Sequence, residues 1–122
     1  MGLSTHVLDT MHGCPAAGMT VKLYTTILDG EGGLQATLVK ALTLNADGRN
    51  PDGLLFDHHS MKVGTYRLVF DVATYFKSMG VSLPEPHFLN LVSLDFGIAH
   101  ADEHYHVPLL VSPWSYSTYR GS

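Results

Sequence analysis

Alternation with a period of two, broken at short intervals by glycine, proline, asparagine and aspartate, is the pattern that most restricts this chain. A run in which every second residue is apolar buries one face only as a strand. Met19 to Leu28 puts Val21, Leu23, Thr25 and Ile27 on one face. Gly64 to Val72 puts Tyr66, Leu68, Phe70 and Val72 on one face and Thr65, Arg67 and Asp71 on the other. His104 to Val111 sets His104 and His106 on one face against Val107, Leu109 and Val111 on the other. Strands are also expected over Leu3 to Asp9, Leu34 to Leu44, His87 to Phe96 with Phe88, Val92, Leu94 and Phe96 on one side, and Ser115 to Arg120, with a short edge strand over Leu54 to Phe56. Thr10 to Gly18, Asp57 to Ser60 and Gly97 to Glu103 read as loops. Asp29 to Gly33, Asn45 to Gly48 and Asn50 to Gly53 read as turns.

One segment changes period. From Asp71 to Met79 the apolar residues Val72, Tyr75, Phe76 and Met79 recur at helical spacing, with Asp71 as N-cap and Gly80 as the stop. The expected fold is all-β, an antiparallel sandwich of about eight strands with one short helix. It forms a single domain over residues 1–122.

Charge narrows the partners. Seven Lys and Arg against eleven Asp and Glu give a net charge of −4, which argues against nucleic acid and anionic membranes. No apolar run approaches the ~18–20 residues that span a bilayer. The start lacks a basic stretch followed by an apolar one, and the end is not Ser-Lys-Leu, so a cytoplasmic location is expected. The one cysteine, Cys14, excludes an intrachain disulfide. It reads as a loop filler.

Eight histidines raise the question of a metal. His104 and His106 share a strand face, and His100 or Asp102 lies near in sequence. No His-Glu-x-x-His pattern or cysteine partner supports such a site, and the reading of solvated histidines stays ahead of a metal. His12, His58, His59, His87 and His100 read as solvated loop residues. No Gly-x-Ser-x-Gly elbow marks a serine nucleophile. Three residues resist a structural reading: His6 inside an apolar strand, Arg49 at the mouth of a turn, and His106 on the face opposite its strand's core side. Residue patterns alone do not bring the three together.

Leu3-Ser4-Thr5-His6-Val7-Leu8-Asp9, Gly13-Cys14-Pro15-Ala16, Asp47-Gly48-Arg49, His104-Tyr105-His106-Val107-Pro108-Leu109-Leu110, Ser112-Pro113 and the closing Tyr116-Ser117-Thr118-Tyr119-Arg120-Gly121-Ser122 resemble the 5-hydroxyisourate hydrolases, the transthyretin-like enzymes of urate breakdown. The resemblance runs from His6 to the last residue. Val111 stands where a third Leu is usual, and Asn50 to Met61 matches no motif of the family. The resemblance implies a transthyretin-like sandwich, a homotetramer built as a dimer of dimers, a small-molecule substrate and no cofactor. Carried over by motif, His6, Arg49, His106 and Ser122 are the expected catalytic residues. His6, Arg49 and Tyr119 are the expected substrate contacts, and His104 is a bystander. The other branch of the fold carries a small aromatic hormone without turnover, and a purely structural sandwich is a third class. The closing Tyr-Arg-Gly-Ser and the trio of His6, Arg49 and His106 speak for the hydrolase.

Overall fold

A computed structural model describes all 122 residues. Nine strands and one helix follow in order: β1 (Gly2–Asp9), β2 (Cys14–Pro15), β3 (Thr20–Leu28), β4 (Leu34–Thr43), β5 (Phe56–Asp57), β6 (Gly64–Asp71), α1 (Val72–Ser78), β7 (Leu91–Ile98), β8 (Tyr105–Val111) and β9 (Tyr116–Ser117). One sheet runs β2-β1-β8-β9, with β5 also on β1; the other runs β4-β3-β6-β7. The core lies between them. β1 buries Leu3, Thr5, Val7 and Asp9, β6 buries Tyr66, Leu68 and Phe70, and β8 buries Tyr105, Val107, Leu109 and Val111. The Thr5 hydroxyl is satisfied within this core by donating to the Val107 carbonyl at 2.7 Å.

The expected sandwich and its single helix are present, with one change of direction. β1 and β8 pair in parallel, Leu3 opposite Tyr105 through Asp9 opposite Val111, while every other strand pair is antiparallel. Almost the whole chain separates the two strands, so no hairpin dictates their direction. The register puts Ser4 opposite His106 and His6 opposite Pro108.

Other boundaries differ for local reasons. The β3–β4 register shifts between Leu23 and Tyr24, where Val39 of β4 is the extra, unpaired residue. β3 keeps an unbroken register with β6, yet toward its end Thr25 and Ile27 are exposed while Thr26, bonded to Thr65 of β6, is buried with Val21 and Leu23. β7 starts at Leu91 rather than His87 and runs through Gly97, because its length follows β6: Asp71 pairs with Leu91 and Gly64 with Ile98. Phe88 therefore lies outside the strand and is 74% exposed. β5 sits at Phe56–Asp57, a residue or two later than expected, paired with Gly2 and Leu3. Cys14 and Pro15, in the expected loop, pair with Asp9 and Leu8. Asp71 caps α1 by accepting from the Thr74 N–H, and Val72, Tyr75 and Phe76 are buried; Met79 is the C-cap and is 42% exposed.

The last strand is the clearest departure. Instead of Ser115 to Arg120, only Tyr116 and Ser117 form β9, and a separate bridge joins Gly121 to His106. Pro108 explains the gap. It falls where β8 would next exchange a pair of backbone hydrogen bonds with the tail, and proline has no N–H to give. The Pro108 carbonyl instead accepts from the Thr118 hydroxyl at 2.7 Å. Tyr119 is thereby released from the ladder and is 60% exposed.

Candidate active site

The outward face of β1 carries Ser4 and His6, and both are half-buried. His6 pairs with Arg49 through an isolated antiparallel bridge. The Asn45–Arg49 turn makes this possible. The Asn45 side-chain oxygen accepts from the N–H groups of Asp47 at 2.9 Å and Arg49 at 3.1 Å, an Asx turn. The Val7 N–H donates to the Gly48 carbonyl at 3.0 Å and draws the turn against β1. Gly48 has φ +72°, and a Cβ there would stand 2.5 Å from the Val7 carbonyl oxygen, so glycine is required on both counts. Arg49 is exposed and forms no ion pair within the chain.

His106 lies beside this pair, on β8. Burial, then the Arg49 charge, then His6 and His104 hold its ring below the usual imidazole value. Burial and Arg49 lower His6 in the same way, while a hydrogen bond to the Asp47 backbone pulls weakly against them. Two neutral imidazoles therefore stand within the field of one unpaired guanidinium. Such an arrangement has a base available near neutral pH and a fixed positive charge for a developing anion.

Two further groups reach His106. The Ser4 hydroxyl lies 2.8 Å from His106 Nδ1 and 3.1 Å from His104 Nε2. His104, expected to be a bystander, is thus tied to His106 through Ser4. Sequence reasoning did not single out Ser4, although its place two residues before His6 on one strand face was a readable signal. On the other side the tail closes in. The His106 N–H donates to the Gly121 carbonyl at 3.1 Å, and the Gly121 N–H donates back at 2.7 Å. A Cβ at Gly121 would lie 3.1 Å from His106 Cβ and Cδ2. The Arg120 guanidinium stacks on Tyr105 at 4.1 Å and donates to Glu103 and to the His104 carbonyl, each at 3.1 Å.

The expected residues do not all converge. His6, Arg49 and His106 come together. Ser122 is exposed just beyond the Gly121 bridge. Tyr119 lines a separate cavity of about 410 Å³ between β7 and the tail, with Asp95, Phe96, Tyr105, Thr118 and Arg120 among its walls but none of the site histidines. No group of three or more His, Cys, Asp or Glu side chains is gathered closely enough to hold a metal ion. The His58 and His59 rings lie tilted against each other in an exposed loop, with centroids 3.8 Å apart. His12 is not a free loop histidine: its Nδ1 lies 2.6 Å from the buried Asp9 carboxylate.

Residues 3–121 match the HIUase/Transthyretin family. A protein named 5-hydroxyisourate hydrolase 2 from Rhizobium meliloti (strain 1021) is 53% identical over 120 residues, which cover 98% of this chain and 95% of that protein. A solved (S)-allantoin synthase superposes with a TM-score of 0.88 at 45% identity, covering 99% of this chain and 43% of that one. Sea bream transthyretin in complex with thyroxine superposes with a TM-score of 0.80 at 28% identity, covering 99% and 95%.

Proposed function

The chain belongs to the HIUase/Transthyretin family, and from that premise we propose that it is a 5-hydroxyisourate hydrolase of urate degradation. The reaction opens the 5-hydroxyisourate ring by water attack on an amide-like C–N bond, giving 2-oxo-4-hydroxy-4-carboxy-5-ureidoimidazoline. The observation that carries this reading is the pair of histidines, both lowered by burial and by one unpaired guanidinium.

Water is a weak nucleophile near neutral pH. One of the two histidines takes its proton as the new C–O bond forms, and the pair returns that proton to the leaving nitrogen; such general acid–base work contributes about 10²–10⁴-fold. Arg49 binds the substrate's acyl oxygens and stabilises the charge that grows on them. Ser122 adds a substrate contact, with the Gly121–His106 bridge holding that end of the tail in reach, while Tyr119 stands on the wall of the neighbouring cavity and is outside this arrangement. No cofactor takes part.

The protein acts as a cytoplasmic homotetramer. Two features support assembly: β7 is an open sheet edge, and Trp114, Tyr116 and Tyr119 are exposed aromatics on the tail. No helix is long and apolar enough to cross a membrane. A carrier of a small aromatic ligand is the other reading, favoured by the likeness to the thyroxine complex. The test is ultraviolet decay of 5-hydroxyisourate generated in place from urate, with and without protein. Acceleration over spontaneous decay is expected. Unchanged decay with tight binding of an aromatic ligand would favour the carrier.

A further inference from the structure

Ser4 bridges two imidazoles with one hydroxyl, and the arithmetic of protons makes that arrangement informative. A serine has a single O–H to donate. Placed between His106 Nδ1 at 2.8 Å and His104 Nε2 at 3.1 Å, it donates to one ring and accepts from the other. Only two arrangements of the neutral rings satisfy both contacts. In one, His106 Nδ1–H donates to Ser4 and the Ser4 hydroxyl donates to His104, so His106 Nε2 keeps its lone pair. In the other, both bonds reverse and His106 Nε2 carries the proton. The tautomer of His106 is therefore coupled to that of His104.

The backbone holds the three in place. Ser4 is opposite His106 in the parallel β1–β8 ladder. The His104 carbonyl is fixed by Arg120, which also grips Glu103. The charged and titratable groups acting on His106 are Arg49, His6 and His104, all of which disfavour its imidazolium.

Building on the hydrolase reading, with His106 as the ring that activates water, we propose that Ser4 and His104 are positioning residues that form a proton relay with His106 and fix Nε2 as its free base. In the forward step a water O–H bond breaks and its proton joins His106 Nε2 while the oxygen bonds the acyl carbon. The Nδ1 proton passes to Ser4 Oγ, and the Ser4 proton passes to His104 Nε2. The positive charge then rests on His104 rather than next to Arg49. The same movements in reverse deliver a proton from His106 Nε2 to the leaving nitrogen as the C–N bond breaks.

The test combines kinetics with imidazole ¹⁵N spectra of the unliganded protein. Ser4→Ala and His104→Asn are each expected to lower kcat about 10–100-fold with KM little changed, the range typical of lost outer-sphere orientation of a functional histidine. The double variant should be no worse than the poorer single variant, because the residues act as one chain. Ser4→Thr, which keeps the hydroxyl, should restore most of the rate. His104→Asn should move the acidic limb of the kcat profile to higher pH, since one cause of the lowered His106 value is gone. The spectra should show Nδ1–H on His106 in the native protein and a mixture of tautomers in Ser4→Ala. Near-normal kcat in both single variants, multiplicative losses in the double, or an unchanged His106 tautomer would each overturn the relay. If the native protein itself fails to accelerate decay, the hydrolase reading falls, and the spectra still decide the tautomer coupling.

Discussion

Strand β1 carries two polar groups three residues apart, and they are built in opposite ways. His6 faces outward beside Arg49, a cation without an ion-pair partner. Asp9 faces inward with its side chain fully buried, and every partner it needs is present. It accepts from the His12 N–H at 2.9 Å and the Tyr75 hydroxyl at 2.7 Å, with His12 Nδ1 at 2.6 Å. Burial pushes the Asp9 carboxyl up, but the hydrogen bonds from His12 and Tyr75 outweigh it and hold it below the usual carboxylate range. Tyr75 is pushed up, by burial first and then by Asp9. At the inner end the polar groups satisfy one another and tie α1 to the sheet. At the outer end they are held neutral or unpaired, which leaves capacity for a substrate. A satisfied polar cluster stabilises a fold, whereas a cluster with spare donors and lone pairs does chemistry.

Separating the two ends by mutation should give opposite phenotypes. The largest effect is on rate. His6→Asn, His106→Asn and Arg49→Gln should each lower kcat/KM by about 10²–10⁴-fold, or about 3–5 kcal/mol of transition-state stabilisation. Thermal denaturation should move little, since His6 and His106 are only half-buried and Arg49 is exposed. Arg49→Gln has a second signature. With the charge gone, both imidazoles should titrate higher, and the acidic limb of any residual activity should shift to higher pH. A variant that keeps the native rate, or that loses rate only because it unfolds, breaks the contrast.

The next effect is on stability. Asp9→Ala strands the buried Tyr75 hydroxyl and takes the acceptor from the His12 N–H, so a loss of about 3 kcal/mol is expected. Calorimetry should show a melting point lower by roughly 10 °C for a chain of this size. Activity measured well below that transition should stay within a few-fold of native. A collapse of kcat in folded Asp9→Ala would show that the inner cluster also serves the chemistry.

The same cluster predicts a pH dependence. A carboxylate whose folded value lies below its unfolded one adds stability that is complete above the unfolded value, near 3.8, and fades as pH falls through the folded value. Tyr75→Phe removes one of the bonds holding the Asp9 carboxyl down and should destabilise by about 1 kcal/mol near neutral pH. That deficit should narrow as the pH falls through the acidic range. Urea titrations from neutral pH to pH 3 would read it. A deficit constant over that range would mean that the tyrosine bond does not depend on the carboxylate's charge.

The contrast was only half visible in the sequence. His6, Arg49 and His106 stood out because a histidine inside an apolar strand and an arginine at a turn mouth have no ready structural excuse. Asp9 did not stand out, since its partner Tyr75 lies in a helix 66 residues away. His12 accordingly read as a solvated loop residue. Strand faces were legible wherever alternation was unbroken, as in β1, β6 and β8. They failed toward the end of β3, where Thr26 is buried through its bond to Thr65 of β6 while Thr25 and Ile27 are exposed. The parallel pairing of β1 with β8 left no local mark, because direction is set by contacts between the two ends of the chain. It is that pairing which puts Ser4 beside His106, so the reach from Ser4 to His104 was equally hidden. The short β9 was legible in principle, because Pro108 sits in plain view at the point where the ladder stops.

The smallest effect tests how tightly the outer end is held. Gly121 packs so closely on His106 that an added Cβ would sit 3.1 Å from two of its carbons, tighter than ordinary contact. Either the His106 ring turns or the tail lifts, and each disturbs the site without touching the core. Gly121→Ala should therefore lower kcat modestly, by about tenfold or less, the loss of roughly 1 kcal/mol of alignment. The melting point should stay within about 3 °C of native, because the affected residues lie outside the hydrophobic core. Deleting Tyr119 to Ser122 is the extreme of the same experiment and should abolish turnover while the two sheets remain folded. If Gly121→Ala turns over normally, the tail does not need its close approach to His106. If it melts far below the native protein, the Gly121 bridge belongs with Asp9 among the groups that hold the fold.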